Sequence, residues 1–477
     1  MKSSMTRREL LRMAGVGSAG ALLAACQPKI VEVERIVQQT VVVTEEKIVK
    51  EAVEVAKEVT RVVETERIVE AEVAQLPPMD LRFGYPGWAQ RYAEIIVAQF
   101  QVREPDVNVQ LEPIAGDLVQ MLYTMAAGGT TPEAQWIADA FVVPLGSEGV
   151  MLDMMPMAEA DPEDITPDMY PVMLDLGKYE NRWYFIAWAF DAPVMYYNRS
   201  LFQEAGLPDP DPLGMPWDEW QMACAAMTDE DEQIYGWHGN EAWWAIYVPW
   251  MEGFGGRFYN EDASQVEINS PEAAAGCQAL ADMYVKYNAA VPRGANLGGD
   301  PFILGKAATV ITNRNKCANI RAANVEFEWD VCLAPIQAKK HVCGSGTMGP
   351  GVAATAAREK KEWAAWQLVK TIASPATQRY FARQYMIIPV LKSLAKDPSW
   401  YELPPPPANR DVFLEIESRA ITPPNPRDND CGTVYIGETN KVMNEAWEKM
   451  VIAGVPAQEA LDEAAGIIND CIIRGGA

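Results

Sequence analysis

Two side chains stand directly after predicted strands, where they could hold a polar ring. Trp88 follows the stretch 81–85, and Asp139 follows the stretch 134–137. An indole offers a flat apolar surface, and a carboxylate accepts hydrogen bonds from hydroxyl groups. Ligands of α/β sheets bind beyond the carboxyl ends of strands, where both residues are expected. The pair suits a ring-shaped ligand edged by hydroxyls, although each residue could instead pack in the core.

Several kinds of reactive centre are disfavoured by the residue types. His238 and His341 are the two histidines among 477 residues, which argues against histidine triads and multi-histidine metal sites. The sequence has no GxxxxGK[ST] or HExxH motif. The cysteines after Cys26 include no CxxC pair, so no metal or thioredoxin-like site is predicted and any disulfide pairing stays open. No cofactor is expected.

The elements that must position these residues alternate between strands and helices. Residues 81–85 are predicted as a strand, 89–101 as a helix and 107–111 as a strand, an order that indicates a parallel α/β sheet. Later stretches continue the alternation, and the chain from residue 411 is predicted to be helical. The later elements are the helix 118–127, the strands 134–137 and 267–268, the helix 271–287, the strands 307–311 and 329–333, and the helices 359–372, 439–452 and 457–473.

The first 26 residues have the features of an export signal. Arg7 and Arg8 precede an apolar stretch, 10–25, which is too short for a stable membrane-spanning helix and resembles a twin-arginine signal. The tripeptide Leu-Ala-Ala before Cys26 resembles a lipobox. We therefore expect Cys26 to be lipidated and to anchor the protein on the extracytoplasmic face of the cell membrane. A chance cysteine after an ordinary signal peptide is the alternative.

Residues 27–78 form a segment of different composition. Val, Ile, Glu, Lys, Arg and Thr dominate it, and Gly, Trp, Phe and Tyr are absent. The segment has no sustained heptad repeat, which argues against a coiled coil. We interpret it as a charged tether that holds the following domain away from the membrane. A helical stalk that associates with itself is the alternative.

The formal net charge of the chain is -26. This charge repels the phosphates of nucleic acids and anionic lipid headgroups, and it favours solubility. No nucleic-acid partner is therefore expected.

Four runs of residues carry a family resemblance. Residues 196–207 are Tyr-Tyr-Asn-Arg-Ser-Leu-Phe-Gln-Glu-Ala-Gly-Leu, and residues 216–220 are Pro-Trp-Asp-Glu-Trp. Residues 302–308 are Phe-Ile-Leu-Gly-Lys-Ala-Ala, and residues 455–461 are Val-Pro-Ala-Gln-Glu-Ala-Leu. In this order they resemble the extracellular solute-binding proteins of family 1, the maltose-binding type, over the chain from Met79 onward.

This resemblance implies a periplasmic-binding-protein-like α/β fold, in which two lobes joined by a hinge enclose a cleft. By resemblance, residues 79–191 and 310–375 would form lobe 1, and residues 192–309 and 376–477 would form lobe 2. The family binds its ligand without turnover, and lobe closure removes the ligand from water. The implied partners are a carbohydrate, either a sugar or an oligosaccharide, and the permease subunits of an ABC importer.

The resemblance also implies further site residues. Asp191 stands where sugar-binding relatives often carry an acid facing the cleft, although it could instead be a cap or hinge residue. Glu241 and Trp243 resemble an acid and an aromatic, two residues apart, that reach the sugar in maltose-binding relatives. Trp188 lies next to the implied hinge, and Tyr435 takes the place of a late stacking aromatic. Each aromatic could equally pack in the core.

One stretch departs from the family pattern. After residue 308 the sugar-binding relatives usually continue to a Gly and then a Trp, whereas residues 312–315 here are Thr-Asn-Arg-Asn. Arg314 could hold an acidic sugar with both guanidinium nitrogens, or it could be a solvated loop residue.

Other functions remain open at this point. The ligand could be a peptide, a polyamine or a phosphodiester rather than a sugar. A surface glycosidase could use paired carboxylates such as Asp191 and Glu241. A surface scaffold that associates through residues 27–78 is a third possibility.

Overall fold

In the part of the chain that the structure describes, eight strands form two separate four-stranded sheets, and four short strands form two two-stranded sheets. A computed structural model describes residues 75–475, apart from 117, 190, 191, 386, 423, 425–430, 435 and 436. The predicted signal peptide and most of the tether lie outside the described residues, and a compact unit begins at Pro78. The strands are β1 (Met79–Pro86), β2 (Val107–Ile114), β3 (Ala134–Ala138), β4 (Lys178–Tyr179), β5 (Arg182–Trp183), β6 (Val194–Asn198), β7 (Tyr235–His238), β8 (Ala307–Thr312), β9 (Trp329–Cys332), β10 (Cys343–Gly344), β11 (Met348–Val352) and β12 (Ala420–Ile421). The two-stranded sheets pair β4 with β5 and β10 with β12.

Helices surround the sheets and follow most of the strands. They are α1 (Gln90–Arg103), α2 (Leu118–Gly128), α3 (Val142–Ser147), α4 (Met155–Ala160), α5 (Pro171–Leu176), α6 (Arg199–Glu204), α7 (Trp217–Ala226), α8 (Trp244–Gly253), α9 (Pro271–Val285), α10 (Asn315–Ala323), α11 (Ala354–Glu359), α12 (Glu362–Lys370), α13 (Pro375–Tyr385), α14 (Pro398–Tyr401), α15 (Val412–Glu415), α16 (Gly437–Val451) and α17 (Ala457–Gly475). No helix among the described residues is both long and apolar enough to cross a lipid bilayer.

The first sheet has the strand order β11-β3-β1-β2. β1 pairs in parallel with β2 and β3, so that Phe83 stands opposite both Leu111 and Ala134. β11 runs antiparallel to β3. All residues of β3 are buried, as expected for a strand covered on both faces of its sheet.

The segment 184–188 extends this sheet by lying beside β11. The backbone N–H of Ile186 donates to the carbonyl oxygen of Pro350 at 3.0 Å. Gly349 allows the close approach, because a Cβ at that position would lie 1.8 Å from the carbonyl oxygen of Ile186. The glycine therefore has a steric role in joining the segment to the sheet.

The second sheet has the strand order β7-β8-β6-β9. β7 is parallel to β8, and β6 is antiparallel to both of its neighbours, with Tyr196 opposite Val310 and Val331. Helices α8 and α9 pack together beside this sheet, and α16 and α17 pack on α9. A disulfide between Cys431 and Cys471, with a Cα–Cα distance of 5.7 Å, joins the segment before α16 to α17.

The predicted strand–helix–strand order at the start of the domain is confirmed by β1, α1 and β2, although both sheets are mixed rather than parallel. The predicted strand at 267–268 is wrong, because these residues lead into a helix that begins after the N-cap Ser270. The helix predicted at 359–372 begins instead at Glu362. Lys360 has a left-handed backbone (φ 59°) that ends the preceding helix.

The strand pairing corrects one predicted lobe boundary. A division between 309 and 310 would cut β8, which pairs with β6, and β9 pairs with the other edge of β6. The part of the chain built on the second sheet therefore continues through Cys332. Residues 376–385 belong to α13, which packs both against α1 beside the first sheet and against α10, which follows β8 of the second sheet. The chain thus passes between the two parts three times, after β5, after β9 and after α14; we call these segments the first, second and third crossings.

Candidate ligand-binding site

Several aromatic side chains meet at the carboxyl end of β1. They come from the turn after β1, from α1, from β3, from the first crossing and from α13. We refer to this set as the aromatic cluster, and it comprises Trp88, Tyr92, Trp136, Trp188, Phe381 and Tyr385.

Tyr92 is central to the aromatic cluster. Its ring centroid lies 4.8 Å from that of Trp188, 4.9 Å from that of Tyr385 and 5.7 Å from that of Phe381. These separations fall in the range of favourable offset and edge-to-face ring contacts. Because Trp188 and Phe381 are buried while Tyr92 and Tyr385 are half-buried, the cluster is anchored in the core and reaches the surface.

Trp88 is the most exposed member of the cluster. Its side chain is 55% exposed, yet its ring meets Trp136 edge-on at 6.0 Å with an interplanar angle of 89°. Trp136 is buried and therefore fixes one edge of the exposed indole. An indole that is held in place while its face is open to solvent can stack on an apolar ring face.

The aromatic cluster contains no formally charged side chain. Burial raises the pKa of Tyr385, so its hydroxyl stays protonated at neutral pH and remains a hydrogen-bond donor. The arrangement can therefore offer apolar faces together with neutral polar tips.

Asp139 lies after β3 as predicted, but its carboxylate is occupied by the backbone. One oxygen accepts from the N–H of Ala140 at 2.7 Å, and the other accepts from the N–H of Thr347 at 2.8 Å. The side chain is buried. Asp139 thus holds the end of the second crossing, and its predicted role in ligand contact stays a prediction.

Glu241 and Trp243 lie together before α8, beside the second sheet. Both oxygens of Glu241 face partners from the same part of the chain, at 2.5 Å from the hydroxyl of Tyr284 and 3.4 Å from Nη1 of Arg293. Trp243 is half-buried at the N-cap of α8, whereas Trp244 is a buried core residue. The predicted ligand contacts of Glu241 and Trp243 stay predictions.

Arg314 is not a solvated loop residue, and that alternative was wrong. Its side chain is 2% exposed, and its guanidinium carbon lies 5.5 Å from the ring centroid of Phe413. The arginine precedes α10, so the chain turns inward directly after β8. Packing on an aromatic face is typical of a guanidinium group.

The structure brings two predicted residues, Trp88 and Trp188, into one cluster through Tyr92. Asp191 and Tyr435 lie outside the described residues. Sequence reasoning missed Tyr92 as a site residue, and it missed the contribution of α13, for which the sequence offered no signal. Among the described residues, no group of three or more His, Cys, Asp or Glu side chains is arranged to hold a metal ion.

A family model described as bacterial extracellular solute-binding protein matches residues 86–379. Putative binding proteins of Brucella abortus and Brucella suis are 26% identical over 179 residues, which is 36% of this chain and 42% of each relative. The match therefore spans less than half the length of these curated relatives.

Solved structures share the fold over most of this chain. The substrate-binding protein Lmo0181 of Listeria monocytogenes, in complex with cycloalternan, has a TM-score of 0.71 at 22% identity and covers 82% of this chain and 98% of its own. MalE3 of T. maritima, bound to maltose, has a TM-score of 0.66 at 19% identity and covers 82% and 99%. UgpB of Mycobacterium tuberculosis, in complex with glycerophosphocholine, has a TM-score of 0.70 at 18% identity and covers 83% and 99%. This likeness confirms the predicted two-lobed α/β fold.

Proposed function

This chain belongs to the bacterial extracellular solute-binding proteins, and we propose that it captures a carbohydrate, a sugar or an oligosaccharide, in the cleft between its lobes. The aromatic cluster is the observation that carries this proposal. A sugar ring has an apolar face and a rim of hydroxyls, which match an exposed, anchored indole and neutral tyrosine hydroxyls. The shared fold with proteins solved with cycloalternan and maltose adds support.

In the proposed role the protein delivers the sugar to a permease and does not convert it. Closure of the lobes around the sugar would exclude water, and the free energy of binding would stabilise the closed state. The permease of an ABC importer would then take the sugar from the closed form, without turnover by this protein.

We further propose that the protein is a lipoprotein held on the extracytoplasmic face of the cell membrane through Cys26 after twin-arginine export. The residues before Cys26 support this assignment. Each buried CH₂ of the acyl chains contributes about 0.8 kcal/mol to membrane binding. A Cys26→Ala variant should leave the membrane fraction of fractionated cells, and a variant that stays there would contradict the anchor.

A thermal-shift screen of the purified protein tests the carbohydrate proposal. The panel contains neutral sugars, maltodextrins, uronic acids, peptides, polyamines and glycerophosphocholine. A sugar at 100 times its dissociation constant should stabilise the fold by about 2.7 kcal/mol. Stabilisation by a sugar class that disappears in Trp88→Ala supports both the ligand class and the site. Stabilisation by peptides, polyamines or glycerophosphocholine alone would discard the carbohydrate and keep the family assignment.

A further inference from the structure

Gln378 connects the first crossing with the loop after α13 through one buried amide. The residue lies on α13 and is fully buried. Its Nε2 donates to the carbonyl oxygens of Trp188 at 3.1 Å and Ile372 at 2.8 Å, and its Oε1 accepts from the backbone N–H of Val390 at 2.9 Å. Trp188 belongs to the first crossing, and Val390 lies in the loop after α13, where its carbonyl oxygen accepts from the N–H of Tyr170 at 3.1 Å. One side chain therefore fixes the first crossing to this loop.

Thr347 makes the corresponding connection from the second crossing. Its Oγ1 donates to the carbonyl oxygen of Ala189 at 2.7 Å, and its backbone exchanges hydrogen bonds with Asp139. The consecutive carbonyls of Trp188 and Ala189 are therefore held by side chains from two different segments. The first and second crossings are joined at the place where the first crossing leaves the first sheet.

We infer that Gln378 and Thr347 are positioning residues that set where the first crossing begins to bend and how the indole of Trp188 is held in the aromatic cluster. Buried backbone carbonyl oxygens need hydrogen-bond donors, and removing a donor leaves such an oxygen buried without a hydrogen bond. Loss of the amide of Gln378 should free the start of the first crossing while leaving the two sheets intact. This inference rests on the proposed function, because it concerns the lobe movement that accompanies ligand capture.

The test measures lobe separation without any sugar, so that its result does not depend on the ligand class. Spin labels are placed by Val102→Cys on α1 and Met222→Cys on α7, both on exposed side chains of helices beside different sheets. The free cysteines of the described residues are all buried. Distance distributions between the labels are compared for the parent and for Gln378→Met, which keeps the side-chain volume and removes the hydrogen bonds.

Gln367→Met is the matched control. Gln367 is also a buried glutamine, on α12, and its amide donates to Asp161 rather than to a crossing. We expect Gln378→Met to change the ratio of the open to the closed population by about 2- to 30-fold. Gln367→Met should leave this ratio unchanged. Thr347→Val, which removes one hydroxyl, should give a smaller change in the same direction.

If Gln378→Met fails to fold, the distance distribution of Thr347→Val tests the inference instead. Distributions that match the parent for every folded variant would overturn the inference. A change of equal size in Gln367→Met would also overturn it, because the effect would then follow from general loosening of the first lobe. If no sugar stabilises the protein in the separate thermal-shift screen, the carbohydrate proposal is discarded. The distance result can still be interpreted, because it is measured without sugar.

Discussion

The hydroxyl of Tyr284 donates a 2.5 Å hydrogen bond to Oε2 of Glu241, across a separation of 43 residues in the chain. Burial, followed by the nearby charge of Glu241, raises the pKa of Tyr284 well above its ordinary value, so the hydroxyl stays a neutral donor. Glu241 is 4% exposed, and its charge therefore depends on Tyr284 and on Arg293 for compensation.

Tyr284→Phe should lower the free energy of unfolding by about 1–3 kcal/mol, because a buried carboxylate loses a donor. Urea unfolding at neutral pH measures this loss. Tyr287→Phe is the control, since that hydroxyl accepts from the exposed Lys286, and it should change stability by less than about 0.5 kcal/mol. Equal losses in the two variants would show that the bond to Glu241 contributes nothing specific.

Trp88→Ala should weaken binding of the sugar found in the thermal-shift screen by about tenfold or more, as expected for an aromatic anchor worth more than about 1 kcal/mol. Isothermal titration calorimetry measures the affinity. The melting temperature without sugar should hardly change, because the side chain is 55% exposed. Tyr401→Ala, at another exposed aromatic, is the control and should bind as the parent does. Unchanged affinity in Trp88→Ala would remove the aromatic cluster from the site.

Lys370→Met should destabilise the protein by about 3–5 kcal/mol, because it leaves a buried carboxylate without its cation. The ammonium of Lys370 lies 2.7 Å from Asp161, and both side chains are almost fully buried. Lys449→Met removes an ion pair of the same length from the surface and should cost less than about 1 kcal/mol. Urea unfolding compares the two variants, and similar losses would contradict the burial argument.

The same pair predicts how stability depends on pH. Burial by itself raises the pKa of Asp161, but hydrogen bonds from Lys370, the backbone of Glu163 and Trp366 outweigh it, so the pKa is lowered overall. Because the folded pKa lies below the unfolded value, this contribution is complete above about pH 4 and is lost as the pH falls through the folded pKa. The stability difference between the parent and Lys370→Met should therefore shrink in acid.

Reduction of the Cys431–Cys471 disulfide should lower the free energy of unfolding by about 4 kcal/mol, because the bond closes a loop with a sequence separation of 40. Unfolding with and without reductant measures the effect. The double variant Cys431→Ser, Cys471→Ser should match the reduced parent and should not respond to reductant. A response of the double variant would point to another cysteine, although burial raises the pKa of Cys224 to about 12 and so disfavours its thiolate.

Gly349→Ala should destabilise the protein by at least about 3 kcal/mol, since the added Cβ would lie 1.8 Å from the carbonyl oxygen of Ile186. Gly299→Ala is the control, because its Cβ would approach no atom more closely than Leu304 at 3.4 Å. Circular dichroism melting compares the two variants. A Gly349→Ala protein that melts with the parent would show that the segment 184–188 can move away from β11.

Local patterns in the sequence were enough to predict β1, α1 and β2, because alternation and helical spacing are properties of neighbouring residues. The lobe boundary at 310 failed because it depends on a partner more than 100 residues earlier: β8 pairs with β6. For the site, the position of Trp88 at the end of a strand was predictable. Its neighbours were not, since Tyr385 reaches Tyr92 through tertiary packing alone.

β11 is translated long after β3, and this order affects folding while the chain is being synthesised. β3 ends at Ala138, but the strand that covers its outer edge begins at Met348. While the ribosome adds the intervening residues, that edge keeps unpaired backbone groups beside side chains destined for the core. Such an edge can pair with other nascent chains, so fragments that stop before β11 should aggregate. The two lobes cannot be made one after the other, because the first is completed only after the strands of the second have been translated.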